Sequence, residues 1–166
     1  TSWFINSVLA IPLADQAAGP AQQPPFDVAG QKVAVNICYE DVFGGEMIAA
    51  ARNATLLVNV TNDAWYGRSI GPWQHDQIAA MRAKETGRPM LRATNTGISA
   101  AMRADGTLLD LSPLDSEWTR LYEIPYRKEP HPTFYQRYGF RLVPSILWLT
   151  AALLLATGRR GRRGGP

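Results

Sequence analysis

At 166 residues the chain has material for one domain with a modest core, and its 46% apolar content excludes wholesale disorder. One cysteine, Cys38, and two histidines, His75 and His131, are too few for an internal disulfide framework or a structural zinc site, so no metal is expected. The net charge of +3 belongs to Arg159, Arg160, Arg162 and Arg163 near the end; the remaining 13 basic residues face 14 acidic ones, which argues against a nucleic-acid-binding face.

The opening stretch holds Trp3, Phe4, Ile5, Val8 and Leu9 with no basic residue ahead of them, so it does not read as a signal peptide. The chain does not begin with methionine, which is expected of a piece of something longer. Residues 10–30, with Pro12, Pro20, Pro24 and Pro25, read as a loop. Val33 to Ile37 is a short apolar, β-branched run that leads straight into Cys38 and then into a bend over residues 41–46. A cysteine at the end of a core strand is where a fold can present a nucleophile on rigid support; a buried structural cysteine would give the same pattern. If the strand continues, Glu40 points to the same side as Cys38 and can act on the chemistry there, so Cys38 and Glu40 are the candidate catalytic pair.

Residues 45–52 (GEMIAAAR) predict a short helix, and residues 55–61 (TLLVNVT) a second buried strand, apolar on both faces except for Asn59. Continuous apolar strands separated by helices imply an α/β sheet covered by helices. The loop at residues 62–67 (NDAWYG) follows the second strand and shares a rim with Cys38 if the strands are parallel. Pro72 to Thr86 is the clearest helix, opened by a proline and closed by Gly87 and Pro89, with Ile78 and Met81 as its apolar edge. Met90 to Thr94 is a third strand, residues 98–103 and 107–111 form a hairpin around Ala104-Asp-Gly106, and Arg120 to Ile124 alternates like an edge strand.

Leu142 to Thr157 carries no charge; extended to its flanks it approaches the roughly 20 residues that span a bilayer. The arginines that follow place its far end in the cytoplasm, so the preceding domain faces the other side of the membrane. Tyr126, Phe134, Tyr135, Tyr138 and Phe140 ahead of the span read as interfacial anchors.

Cys38 with Glu40, then NDAWYG (62–67), then GPWQHDQIAAMRAKETGRPMLRATNTGISA (71–100), closely resembles the carboxyl-terminal half of the bacterial apolipoprotein N-acyltransferases of the nitrilase superfamily. The resemblance implies an α/β fold: part of a nitrilase-like αββα sandwich followed by one C-terminal transmembrane helix. It divides the chain into an arm (1–30), the last part of the nitrilase-like domain (31–126), a juxtamembrane linker (127–140), a transmembrane helix (141–158) and a basic cytoplasmic tail (159–166). By that likeness the protein sits in the bacterial inner membrane with the domain in the periplasm. Its partners are a phospholipid acyl donor and an apolipoprotein acceptor whose N-terminal cysteine α-amino group receives the acyl chain. Cys38 matches the nucleophile that carries the acyl group as a thioester, Tyr39 and Glu40 match its active-site neighbours, and Trp65 matches a substrate-contacting tryptophan. No cofactor is expected, because a thioester stays reactive toward an amine.

The superfamily triad is Glu, Lys, Cys, with the first two well upstream. Here no glutamate precedes Cys38, and Lys32 is too close in sequence. The chain is therefore expected to be inactive by itself. A nitrilase-superfamily amidase or carbamoylase is the alternative, and a membrane-anchored domain without chemistry is a third reading. Asn62 and Asp63 are expected to orient their loop through Asx-type hydrogen bonds. A capping or packing role is expected for His75, a core position for Met81, and a surface position for His131.

Overall fold

The computed structural model describes residues 19–20, 23–129 and 131–163, so the apolar opening stretch and most of the proline-rich segment lie outside the described residues. A six-stranded mixed sheet runs in the order β1 (Phe26–Val28), β2 (Gln31–Ile37), β3 (Leu56–Thr61), β4 (Met90–Thr94), β5 (Ala100–Met102), β6 (Leu108–Leu109). Strands β2, β3 and β4 are parallel, and the outer pairs are antiparallel. Parallel neighbours need crossovers, and the helices α1 (Gly44–Ala51) and α2 (Gly71–Thr86) supply them.

Both crossover helices cover one face of the sheet. Ala34, Leu57 and Met90, adjacent in register, pack there with Met47 and Ala51 of α1 and Ala79 and Ala83 of α2. The small residues of α2 let its backbone lie close to the strands. Its inward face is His75, Asp76, Ala79, Ala83 and Thr86, and Met81 is exposed, not in the core. Hydrophobicity thus misplaces the buried side of this helix, because that side carries charge. Gly87 takes the left-handed conformation (φ 62°) that ends α2 as expected.

The opposite face of the sheet is apolar and open. Val35, Ile37 and Val60 are 39%, 61% and 40% exposed.

Three local readings differ from the structure. Residues 26–28 form an edge strand that turns back onto β2, in place of the expected loop. Arg120 to Ile124 is irregular, because β6 is only two residues long and offers no edge to extend. Tyr122 is held there by its hydroxyl, which donates to the Asp110 carbonyl at 2.8 Å. The last helix, α3 (Phe134–Arg163), begins well before the apolar run, so Tyr135, Tyr138 and Phe140 lie on it. Its start is a reciprocal capping box: Gln136 N donates to Thr133 Oγ1 at 3.1 Å, and Thr133 N donates to Gln136 Oε1 at 2.8 Å. The Thr133 hydroxyl also donates to the Glu85 carbonyl, tying this cap to the end of α2.

Residues 134–155 of α3 form the one helix among the described residues that is long and apolar enough to cross a membrane, and none of that stretch is buried. Leu142, Ile146, Leu147, Trp148, Leu149 and Leu153 are all exposed around it. Pro144 lies inside it.

Candidate active site

Strand β2 ends at Ile37, and the chain does not continue extended. Cys38 turns out of the strand at φ 51° and opens a 3-10 turn, Cys38–Val42. In β2 the even positions, Ala34 and Asn36, face the helices, so an extended Cys38 would point into the protein. The left-handed turn leaves its free thiol half-buried at the carboxyl rim of the parallel strands. Glu40 therefore does not share a strand face with Cys38. Its Oε2 accepts the Ile37 N–H at 2.7 Å, which closes the turn on itself. Tyr39 is 54% exposed and meets Phe43 edge-on, with ring centroids 5.9 Å apart.

The rim is completed by the turn after β3, Asp63–Tyr66. Asn62 behaves as expected: its Oδ1 accepts Ala64 N at 3.1 Å and the Thr96 hydroxyl at 2.8 Å. Trp65 stands 90% exposed on this turn. Burial raises the Tyr66 phenol above its ordinary pKa, with the Asp63 carboxylate adding to the rise. Beyond the end of β4, a polar cavity of about 630 Å³ is lined by Thr94, Thr96, Ser99, Ser112 and Glu117, among others. Lys32 lies at the far end of β2, six residues or about 20 Å from Cys38, and pairs with Asp27 at 2.8 Å.

Beneath the rim lies a charged cluster that no local sequence pattern announces. Asn36, Asn59 and Arg92 are in register on three adjacent strands, all facing the helices. Arg92 Nη1 donates to Asn59 Oδ1 at 2.7 Å and to Asp41 Oδ2 at 3.3 Å, and Nη2 donates to Asp63 Oδ2 at 3.0 Å. His75 spans the same carboxylates, with Nδ1 2.8 Å from Asp63 Oδ1 and Nε2 3.1 Å from Asp41 Oδ1. Asp63 is therefore not an Asx-turn residue but a buried ion-pair partner, 2% exposed. His75 is neither a cap nor a packing residue: carboxylates on both ring nitrogens require both to donate, which only the imidazolium can do. Each of the two cations, Arg92 and His75, thus contacts both carboxylates, which is what lets these charges be buried together.

Burial alone would push His75 down. The hydrogen bonds that its ring N–H groups donate to Asp41 and Asp63 outweigh it and raise the pKa to about 9. Burial raises Asp63 too, but His75 and Arg92 win and hold it below the usual range. Asp76, alongside on α2, is pushed up by burial to about 6.

These shifts fix a pH dependence of stability. A histidine whose pKa rises on folding contributes fully below its unfolded value near 6.5, and that contribution disappears as the pH climbs through about 9. We expect thermal stability to fall between pH 6.5 and 9, by on the order of 3 kcal/mol for this group. His75→Gln should flatten that slope and, because His75 also holds Asp63 below its usual range, weaken the stability that Asp63 contributes on the acid side. Unfolding midpoints from pH 6 to 10 for both proteins read the difference.

The sequence profile of the carbon-nitrogen hydrolase family matches residues 4–127. An apolipoprotein N-acyltransferase from Nitrosomonas europaea is 51% identical over 161 residues, covering 95% of this chain and 32% of the relative. One from Ralstonia nicotianae is 56% identical over 166 residues, covering 98% and 31%. The chain thus spans about a third of the length of these relatives. A carbon-nitrogen hydrolase from Helicobacter pylori G27 shares the fold at a TM-score of 0.52 and 15% identity, over 61% of this chain and 43% of that one.

Proposed function

The chain belongs to the carbon-nitrogen hydrolase family, and on that premise we propose that it is the nucleophile-bearing part of a phospholipid-dependent apolipoprotein N-acyltransferase. The observation that carries this reading is Cys38 itself, the sole cysteine, turned out of a core strand at a positive φ and set at the rim of the sheet. Such a position is costly for a residue with a side chain, and it orients a thiol toward a substrate.

Transfer then takes two steps. The Cys38 thiolate attacks the ester carbonyl of a phospholipid; the C–S bond forms, the ester C–O bond breaks, and the departing lysophospholipid oxygen takes a proton. The α-amino group of the acceptor's N-terminal cysteine then attacks the thioester. The C–N bond forms, the C–S bond breaks, the amine loses a proton and the thiolate returns.

A free thiol with a pKa of about 8.5 needs a base or a cation at hand. Lys32 is too far away to supply it, and the cluster below the rim, where Asp41, Asp63 and Asp76 face Arg92 and His75, presents no net positive charge. We assign that role to residues the relatives carry outside the matched third. The open apolar face of Val35, Ile37 and Val60 agrees with this, since the αββα sandwich requires a second sheet to cover it. Tyr39 and Trp65, exposed on the turns that follow β2 and β3, form the walls against which an acyl chain or its glycerol lies. Glu40 braces the nucleophile's turn through its bond to Ile37 N.

Helix α3 anchors the domain in the inner membrane. The arginines at its end lie on the cytoplasmic side, and the domain lies in the periplasm.

Intact-protein mass spectrometry after incubation with phospholipid vesicles tests the reading. A hydroxylamine-sensitive acyl adduct on Cys38 is expected in the full-length enzyme, and none on residues 1–166 alone. An adduct on the short chain would mean that the activating groups lie within it. No adduct on either, with ammonia released from small amides, would replace the transferase by an amidase.

A further inference from the structure

Asn59 lies at the centre of the three-strand polar row, fully buried, and its amide can be oriented without ambiguity. Arg92 carries only donors, so the atom it contacts at 2.7 Å must be the Asn59 carbonyl oxygen. That fixes the amino group on the other side, where Nδ2 donates to the Cys38 carbonyl at 3.1 Å and to Asn36 Oδ1. The same guanidinium also holds Asp41, three residues beyond Cys38 in the same turn. The nucleophile's turn is thus gripped at its first residue through Asn59 and at its fourth through Asp41, by one buried cation.

We propose that Asn59 is a positioning residue for Cys38: its amide, oriented by Arg92, holds the Cys38 peptide in the left-handed turn that keeps the thiol at the rim. The inference rests on the reading of Cys38 as the nucleophile, and it goes beyond that reading by naming what sets its geometry. A non-glycine residue at φ 51° persists only where its surroundings over-determine it. Three neighbours do so here: Asn59 from β3, Asp41 from within the turn and Glu40 from its own side chain. Of these side chains, Asn59 is the one that donates to the Cys38 carbonyl. Without that donor the turn can relax toward extended backbone, and strand alternation then directs the thiol inward beneath α1 and α2.

The test uses the full-length enzyme in detergent micelles. Cys38 alkylation by iodoacetamide is followed by mass spectrometry of the Cys38 peptide from pH 6 to 10. Asn59→Asp keeps an oxygen for Arg92 and replaces the donor by a charged carboxylate oxygen. It should lower the high-pH plateau, where the thiol is fully ionised, by about tenfold or more. The plateau separates position from acidity, since a change confined to the thiol's pKa would move the midpoint and leave the plateau alone. The acylation rate with phosphatidylethanolamine vesicles should fall in proportion, with half-saturation unchanged.

Asn59→Leu deletes the donor without adding charge and should behave alike, which guards against misfolding in one variant. A folded variant with the wild-type plateau overturns the proposal. So does loss of the fold in both variants, which would make Asn59 a stability residue only. Should wild-type Cys38 take no acyl group while the plateaus still differ, the acyl-transfer reading fails and this one stands.

Discussion

Cys38→Ala should eliminate the acyl adduct and lower turnover by about a thousandfold or more, the scale on which removal of a covalent nucleophile acts. Stability should hardly change, because alanine inherits the same unfavourable φ and loses only a half-buried sulfur atom. Cys38→Gly sharpens the test. Glycine adopts φ 51° without steric cost, so this inactive variant should be more stable than the native chain by about 1 kcal/mol. A gain in the unfolding midpoint with complete loss of chemistry would mark the turn as strain kept for function. If Cys38→Gly proves less stable than Cys38→Ala, the turn is not strained, and the argument that Cys38 is held there for catalysis loses its footing.

The strands of the central sheet and the long helix between them are legible in the sequence because each is a local pattern. Apolar β-branched runs mark β2 and β3, and Pro72 and Gly87 bracket α2. The position of Cys38 follows from the same pattern, since a strand end is visible in one dimension. What the pattern does not convey is that Asn36, Asn59 and Arg92 interrupt their strands at matching positions. Only the parallel register brings them together, and Arg92 and Asp41 stand 51 residues apart. Taken singly, Asp41, Asp63 and His75 look like loop acids and a helix-start residue. In space they form the floor of the site. Helix α2 shows the consequence: its buried side is charged, so hydrophobicity assigns Met81 to the core when it faces solvent. The start of α3 is readable at Thr133 and Gln136, but the aromatic cluster ahead of the apolar run suggests a membrane boundary instead. Short edges such as β1 depend on the partner strand more than on their own residues.

Arg92→Met should be the most destabilising single substitution in the domain, by about 3–5 kcal/mol, because it removes one partner from a buried charge cluster and leaves the others in place. Asp41 and Asp63 would each lose a donor and share His75, with the Thr61 hydroxyl on Asp63 besides, while the Asn59 carbonyl oxygen would be left without its Arg92 partner. Against a total stability of about 5–15 kcal/mol, that loss brings a domain of this size near unfolding. Arg92→Lys keeps the charge but cannot reach three acceptors with one ammonium, so it should recover only part of the loss. The cluster account makes a stronger demand on a second variant. Combining Asp63→Asn with Arg92→Met deletes an anion with its cation and should cost clearly less than the two single changes added together. Urea unfolding of the native protein, the two single variants and the double variant gives the coupling energy. If the two losses simply add, Arg92 is not offsetting the Asp63 charge, and its place would rest on packing alone. If they couple, the guanidinium that orients Asn59 is itself fixed by the two carboxylates, and the geometry of Cys38 depends on a charge balance built from four segments of the chain.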